Sequence, residues 1–402
     1  MFIIDKMFKN KIKAMLLLSF LIMCDTYSPP KSSDVKEALP FKPISRRVPT
    51  QSQEIKVFID ASVSCLGFVT KENSEYISFL RTLRKMAEGL PVSFYKFGEY
   101  TAQTSISEAF EEYFYTHRET RLAQLFNNFA SLDTRSLPGT FLVITDGCQS
   151  YKKQDIISLI TPILSLVERG YSFQILGIKS HFNGRVFSEI RGGASLGRYT
   201  GRRPFYCFII STNEDFGKTL QNRLSAANIS SNLINFSIFP EVSFRFADSV
   251  PSLRYWEVKD SVVYLRWQGS PPGYLKLIMN LESDFIPNIN PGLKCNITSL
   301  NWESKENIPP ICRLFQIRGS EKSIYSLFSF DNKSKECQVA KIELYSQGNT
   351  FSPPDWVKEW STDTDVDKRY FDRTLYLKDF IEEIANRIFE KFPLFVFYVV
   401  VR

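Results

Sequence analysis

Two stretches of this 402-residue chain limit its fold more than any others. Ile55 to Ile59 (IKVFI) and Phe141 to Thr145 (FLVIT) are runs rich in β-branched and aromatic residues, and each ends at an aspartate, Asp60 and Asp146. Strands read this way when helices cover both faces of a parallel sheet and neither face meets water. Around them apolar residues recur at helical spacing. Tyr76, Phe79, Leu80, Leu83 and Met86 predict a helix over 74–89, and a second helix is expected over 118–131. Ile156, Ile157, Ile160, Ile163, Leu164, Leu166 and Val167 predict a third over 154–168, with Gly170 as its cap. Residues 92–97, 172–178 and 205–210 read as further strands, and the Gly- and Arg-rich stretch 184–203 as a loop. This alternation predicts an α/β domain over 54–238 with a doubly wound, mostly parallel, Rossmann-like sheet. Ligands of such sheets gather at the carboxyl ends of strands, where Asp60 and Asp146 stand.

From about 240 to 350 the texture changes to short apolar runs such as SVVYLRW and VAKIELY, separated by Gly, Pro, Asn and Asp clusters. A β-rich, sandwich-like domain over 239–370 is expected, packed by Trp256, Trp267, Trp302, Trp356 and Trp360. Over 371–402, Thr374 is the expected cap of an amphipathic helix carrying Leu377, Ile381, Ile384 and Ile388. Pro393 stops that helix before an apolar strand, which has to be paired to escape aggregation. This C-terminal helix and strand are expected to pack on the preceding domains.

Lys6, Lys9, Lys11 and Lys13 precede an apolar run, Ala14 to Met23, that is too short for a permanent membrane span. Residues 1–23 therefore read as a signal peptide. Cys24 follows, and then a tract rich in Pro, Ser and Lys over 24–53 reads as a flexible tether. The arrangement resembles a bacterial lipoprotein precursor, with Leu21 in its usual place and Met23 where a small residue is common. The resemblance implies lipidation at Cys24 and a membrane-anchored place in the cell envelope; ordinary cleavage, an uncleaved anchor or a different start are the alternatives. The net charge of +7 owes much to those first lysines. Elsewhere both signs are interspersed, without the basic stripe of a nucleic-acid binder. The other six cysteines, at 65, 148, 207, 295, 312 and 337, show no metal-knuckle spacing. Cys65 and Cys148 each follow a candidate metal loop, either as a pair or as two small buried hydrophobes.

Residues 60–64 read DASVS, so Asp60, Ser62 and Ser64 can turn three oxygens one way from a strand-end loop. Asp146 lies in ITDG, and Thr120 opens the helix between the two strands. An apolar strand followed by DxSxS, a threonine about sixty residues on, and TDG after another strand resemble the von Willebrand factor type A domain. Its metal-ion-dependent adhesion site uses this set. Arg118 and Glu119 stand where the family often has a glycine pair, which leaves Thr116 as an alternative to Thr120, and Val63 replaces a frequent glycine. The resemblance implies direct coordination by the serines and threonine, aspartates acting directly or through water, and one open position. Mg²⁺, or Mn²⁺, suits such hard oxygen ligands and would accept the carboxylate of a protein partner.

Other chemistry is weaker. His117 and His181 lack any motif of nucleophilic catalysis and read as loop residues, with the rim of the metal site as their functional alternative. RGGASLG at 191–197 lacks the lysine-serine ending of a phosphate loop, and Arg202 and Arg203 read as a solvated pair. The expectation is a non-enzymatic, membrane-tethered adhesion or scaffold protein. The alternatives are an intracellular assembly factor working with an ATPase, a degenerate scaffold without metal, and a metal-dependent hydrolase.

Overall fold

The computed structural model describes residues 29–39, 53–133, 138–147, 156–236, 242–250, 253–259, 261–267, 273–281, 286–287, 293–320, 323–330, 336–346, 351–393 and 395–402. The expected signal peptide, Cys24 and Cys148 lie outside them. Part of the expected tether lies inside and is folded. Ser32–Ala38 forms a short helix (α1) whose Val35, with Leu39 just beyond, is buried against Val262, Tyr264, Val339 and Val400. The Tyr264 hydroxyl donates to the Pro30 carbonyl at 3.0 Å. Two apolar residues among many polar ones are enough to dock one helical turn, since each buried aliphatic side chain is worth about 1.5–3 kcal/mol.

The first body runs Ile55–Asp60 (β1), Glu75–Ala87 (α2), Val92–Phe97 (β2), Ala102–Gln103 (β3), Leu122–Ser131 (α3), Thr140–Thr145 (β4), Ile156–Glu168 (α4), Ser172–Ser188 (β5), Ala194–Ser211 (β6), Phe216–Ala226 (α5) and Asn232–Asn235 (β7). α2 starts where Ser74 Oγ accepts from the Ile77 amide at 3.2 Å, with Glu75 in its first turn and Arg84 and Lys85 in its last. The seven strands lie in the order β3-β2-β1-β4-β6-β5-β7. Side chains alternate across the sheet. Val57, Ile59, Leu142 and Ile144 join the core with α2 and α5, while Phe58, Phe141, Val143 and Phe208 face α3 and α4.

The sheet is mixed rather than mostly parallel. β1 is parallel to both β2 and β4, but β6 lies antiparallel between β4 and β5, and β3 and β7 also run against their neighbours. The reason lies in 184–203, which is no loop. β5 and β6 pair all the way from Ser172↔Ser211 to Ser188↔Ala194. Two strands joined by a tight turn must run antiparallel, whereas a helical crossover would have kept them parallel. The outer half of this hairpin extends past the carboxyl edge of the sheet, and being polar and Gly-rich it carries no apolar alternation to betray it.

The second body contains Val242–Val250 (β8), Leu253–Lys259 (β9), Val262–Trp267 (β10), Gly273–Leu281 (β11), Leu293–Asn301 (β12), Arg313–Ser320 (β13), Ser323–Phe330 (β14), Gln338–Ser346 (β15), Asp355–Trp360 (α6), Leu377–Lys391 (α7) and Phe395–Val401 (β16). One sheet includes β12-β15-β16-β10-β9 in that order, and the other is β13-β14-β11-β8. Their inner faces meet, with the Phe328 and Phe397 rings 5.5 Å apart. The apolar C-terminal strand β16 is paired on both sides, by β15 and β10.

Thr374 does not cap α7. It sits in a short bridge with Ser361, and its hydroxyl meets the Tyr206 hydroxyl at 2.9 Å, while the helix begins after Tyr376 in a left-handed conformation. Trp356 and Trp360 join the shared core and pack against Gly177 of β5, where a Cβ would lie 3.0 Å from both indoles and oblige them to give by a few tenths of an ångström. α7 joins the two bodies. Its wholly buried Ile381, Ile384 and Ile388 share one continuous core with Phe141, Phe173 and Phe208 on one side and Val263, Ile342 and Val399 on the other. Ile384→Ala is therefore expected to cost about 2–5 kcal/mol in urea unfolding and to lower the transition of both bodies together. Two separated transitions, only one of them shifted, would contradict the shared core.

Candidate metal centre

Parallel pairing of β1 with β4 sets Ile59 beside Ile144, so the residues that follow leave the sheet side by side. Asp60 ends β1 and Asp146 follows β4, both essentially inaccessible to water. The loop after Asp60 is held by a parallel bridge between Ser62 and His117, with Val63 N donating to His117 O at 2.9 Å and His117 N to Ala61 O at 3.0 Å. A turn follows, closed by Cys65 N donating to Ser62 O. These constraints bring Ser62 Oγ and Ser64 Oγ within 2.9 Å of each other.

Asp60 is the hub of the site. One carboxylate oxygen accepts from the Ser62 amide at 2.9 Å and the other from the Thr145 hydroxyl at 2.7 Å. Thr120 Oγ1 stands 3.1 and 3.3 Å from the two oxygens. The structure thus gathers Asp60, Ser62, Ser64 and Thr120 into one hydrogen-bonded cluster and places Asp146 beside Asp60. Thr120 precedes α3 instead of lying inside a helix that starts at 118, and Thr116 is exposed. Thr145 belongs to the site and was not singled out from sequence, where it passes for the last residue of an apolar strand.

Ligand atoms of Asp60, Cys65 and Asp146 lie within 4.8 Å of one another, so these buried groups could hold a metal ion. Burial, and then repulsion from Asp146, push the Asp60 carboxyl up to about 7. Among the described residues no lysine or arginine pairs with Asp60, so only the threonine and serine hydroxyls and the Ser62 amide compensate its burial. Burial and the same two carboxylates hold the Cys65 thiol well above its ordinary range. The sulfur is thus offered as a thiol, and the anionic and hydroxyl donors around it are hard oxygens. Cys148 lies outside the described residues, and Cys65 is a free thiol.

The cluster opens into a cavity of about 650 Å³. Ser62, Ser64 and Thr120 line its base, and Arg118, Arg185, Phe187 and Arg198 are among its walls. The projecting β5–β6 arm supplies much of this wall and is firmly seated. Gly184 approaches Gly67 so closely that a Cβ there would lie 2.7 Å from the Gly67 Cα. Arg203 is buried with its guanidinium 4.9 Å from the Phe182 ring, so it is not solvated as expected, whereas Arg202 is exposed and reaches Glu75 at 2.7 Å. At the tip, Asp365 accepts from Ser188 Oγ at 2.8 Å and from the Glu189 amide at 2.6 Å.

Neither histidine lines the cavity. His117 is buried beneath the serine loop, its Nδ1 accepting from the Glu99 amide at 3.2 Å and its ring 4.4 Å from Tyr100; burial lowers its basicity. His181 is half-buried within β5, paired with Arg202 across the hairpin, and its amide donates to Glu75. The arginine-lined wall is the feature that sequence reading missed. Its only trace was the density of arginines in 185–203.

No protein-family model matches the chain, and no curated protein matches it.

The acidity of Asp60 sets a pH dependence for the protein freed of divalent cations. Its folded value of about 7 lies above the ordinary 3.8, so the folded state holds an extra proton between those values. Stability from this group is complete below the lower value and is lost as pH rises through the upper one. In chelator, Asp60→Asn is expected to melt several degrees above the native protein at pH 8 and to show the smaller loss between pH 5 and 8. An Asp60→Asn curve lying below the native one at pH 8 would show that the ionised carboxylate is not a burden.

Proposed function

We propose that Asp60, Ser62, Ser64, Thr120 and Asp146 form a metal-ion-dependent adhesion site of the von Willebrand factor type A kind. In this reading the site holds Mg²⁺ or Mn²⁺ and the protein binds a partner through one of the partner's acidic side chains. The observation that carries it is the convergence of these oxygens, drawn from three separate segments, at the carboxyl edge of the first sheet and at the base of an open cavity. Two carboxylates and three hydroxyls form a hard donor set suited to a cation that keeps water or a partner carboxylate in its remaining positions. With few anionic ligands around it, such a cation stays electrophilic enough to take that carboxylate.

Binding, rather than catalysis, fits the setting. Neither imidazole lines the cavity, so neither is placed as a general base toward a substrate there. The membrane tether in this reading is the lipid at Cys24, which lies outside the described residues. Residues 29–39 dock on the sheet that holds β10, β15 and β16, so the lipid would hold that body close to the bilayer rather than at the end of a long arm. Among the described residues no helix is long and apolar enough to cross a membrane.

Calorimetric titration and thermal unfolding of the purified protein with Mg²⁺, Mn²⁺ or Ca²⁺ test the reading. A cation at a hundred times its dissociation constant stabilises by about 2.7 kcal/mol, a rise of several degrees. That rise, and the binding heat, are expected to disappear in Asp60→Ala and Asp146→Ala. Absence of both signals from the native protein at millimolar cation would end the adhesion reading and leave the fold alone.

A further inference from the structure

The wall above the metal centre carries a charge arrangement that the fold itself does not explain. Arg185 of β5 and Arg198 of β6 stand directly opposite each other in the hairpin ladder, and both line the cavity. Like charges so placed repel and weaken a strand pair. Arg118, on the segment leading to Thr120, lines the same cavity. All three side chains are exposed, and among the described residues none of the three guanidinium groups has an acidic partner. Glu112 and Glu189 also border the cavity, so the basic character is concentrated on these arginines rather than spread over the whole lining.

The arm does not reach this position by default. Gly67 and Gly184 allow its close approach to the serine loop, Arg203 is buried at its root, and Asp365 fixes its tip. A rigid arm that holds two repelling arginines over a cation centre is preorganised for an anion, because the ordering cost is met before the ligand arrives.

We propose that the cavity receives an acidic peptide segment of a protein partner, in which one carboxylate ligates the cation and a second, a few residues away, is held between Arg185 and Arg198 with Arg118 at the side. The cavity volume of about 650 Å³ exceeds what one carboxylate fills and lies in the usual range for bound ligands. The arginines thereby act as specificity determinants: the cation selects a carboxylate, and the arm selects an acidic neighbourhood around it. This assignment rests on the adhesion-site reading above.

The test uses a fluorescent hexaglutamate peptide as probe, with a peptide of equal length carrying a single glutamate, and with inorganic tripolyphosphate as competitor. Binding is followed by anisotropy in Mg²⁺ or Mn²⁺, and cation uptake by calorimetry on the same samples. Arg185→Gln combined with Arg198→Gln changes only exposed side chains, and its unfolding curve checks that the fold is intact. Hexaglutamate is expected to bind in a cation-dependent manner and more tightly than the single-glutamate peptide. The double variant is expected to weaken it roughly tenfold or more while taking up the cation as the native protein does. Arg185→Lys with Arg198→Lys should recover part of the loss.

Equal hexaglutamate affinity in native protein and double variant, both loaded with cation, overturns the arginine assignment and leaves the metal centre standing. So does failure of hexaglutamate to bind the cation-loaded native protein, or equal binding of the single-glutamate peptide. Arginine-dependent displacement by tripolyphosphate at much lower concentration than hexaglutamate would reassign the cavity to a phosphate ligand. Absence of cation uptake by the native protein is a separate result, which removes the adhesion site and this inference with it.

Discussion

Parallel pairing of β1 with β4 puts two carboxylates, Asp60 and Asp146, side by side out of reach of water. That is an unfavourable thing for a fold to do. Desolvation and mutual repulsion both oppose ionisation, and the neighbouring hydroxyls and the Ser62 amide offset only part of it. The local architecture follows from containing this conflict. The serine loop is stitched to the strand-like segment at His117, Thr145 and Thr120 turn their hydroxyls to Asp60, and His117 is spent on backbone support beneath the loop.

The β5–β6 arm gives this centre its surroundings. A hairpin rather than a helical crossover places an antiparallel strand between β4 and β5 and frees the outer half of both arm strands to project over the carboxyl edge. Backbone contact between Gly67 and Gly184, burial of Arg203 and the Asp365 cap then fix the arm. Ser62, Ser64 and Thr120, which would otherwise open onto a flat sheet edge, instead face a walled cavity.

The second body is coupled to the first through one helix. α7 buries isoleucines in a core that reaches from the aromatic face of the first sheet to the inner faces of the two later sheets, and β16 then becomes a central strand of the larger one. The C-terminal segment thus serves as shared core and shared sheet. Asp365, in the connection between α6 and α7, also touches the arm tip, so that connection also steadies the cavity wall.

Much of the first body is legible in the sequence because local physics dictates it. Apolar runs without alternation mark β1 and β4, and spacing of three to four marks α2, α4 and α7. The motif DASVS after one strand and TDG after another likewise points to Asp60, Ser62, Ser64 and Asp146, since strand ends fix where loop residues begin. The sequence by itself determined β1, β4, α2, α4 and α7 and placed Asp60, Ser62, Ser64 and Asp146 at the sheet's carboxyl edge. Only the tertiary structure decided that β6 inserts antiparallel beside β4, that residues 29–39 dock, that Thr374 bonds Tyr206 instead of capping α7, and that Arg185 and Arg198 face the centre. The physical reason is one of range. Periodicity and strand-end chemistry are set by neighbours in the chain, whereas strand order, docking and the aim of an exposed arginine depend on contacts between residues far apart, which no local pattern records.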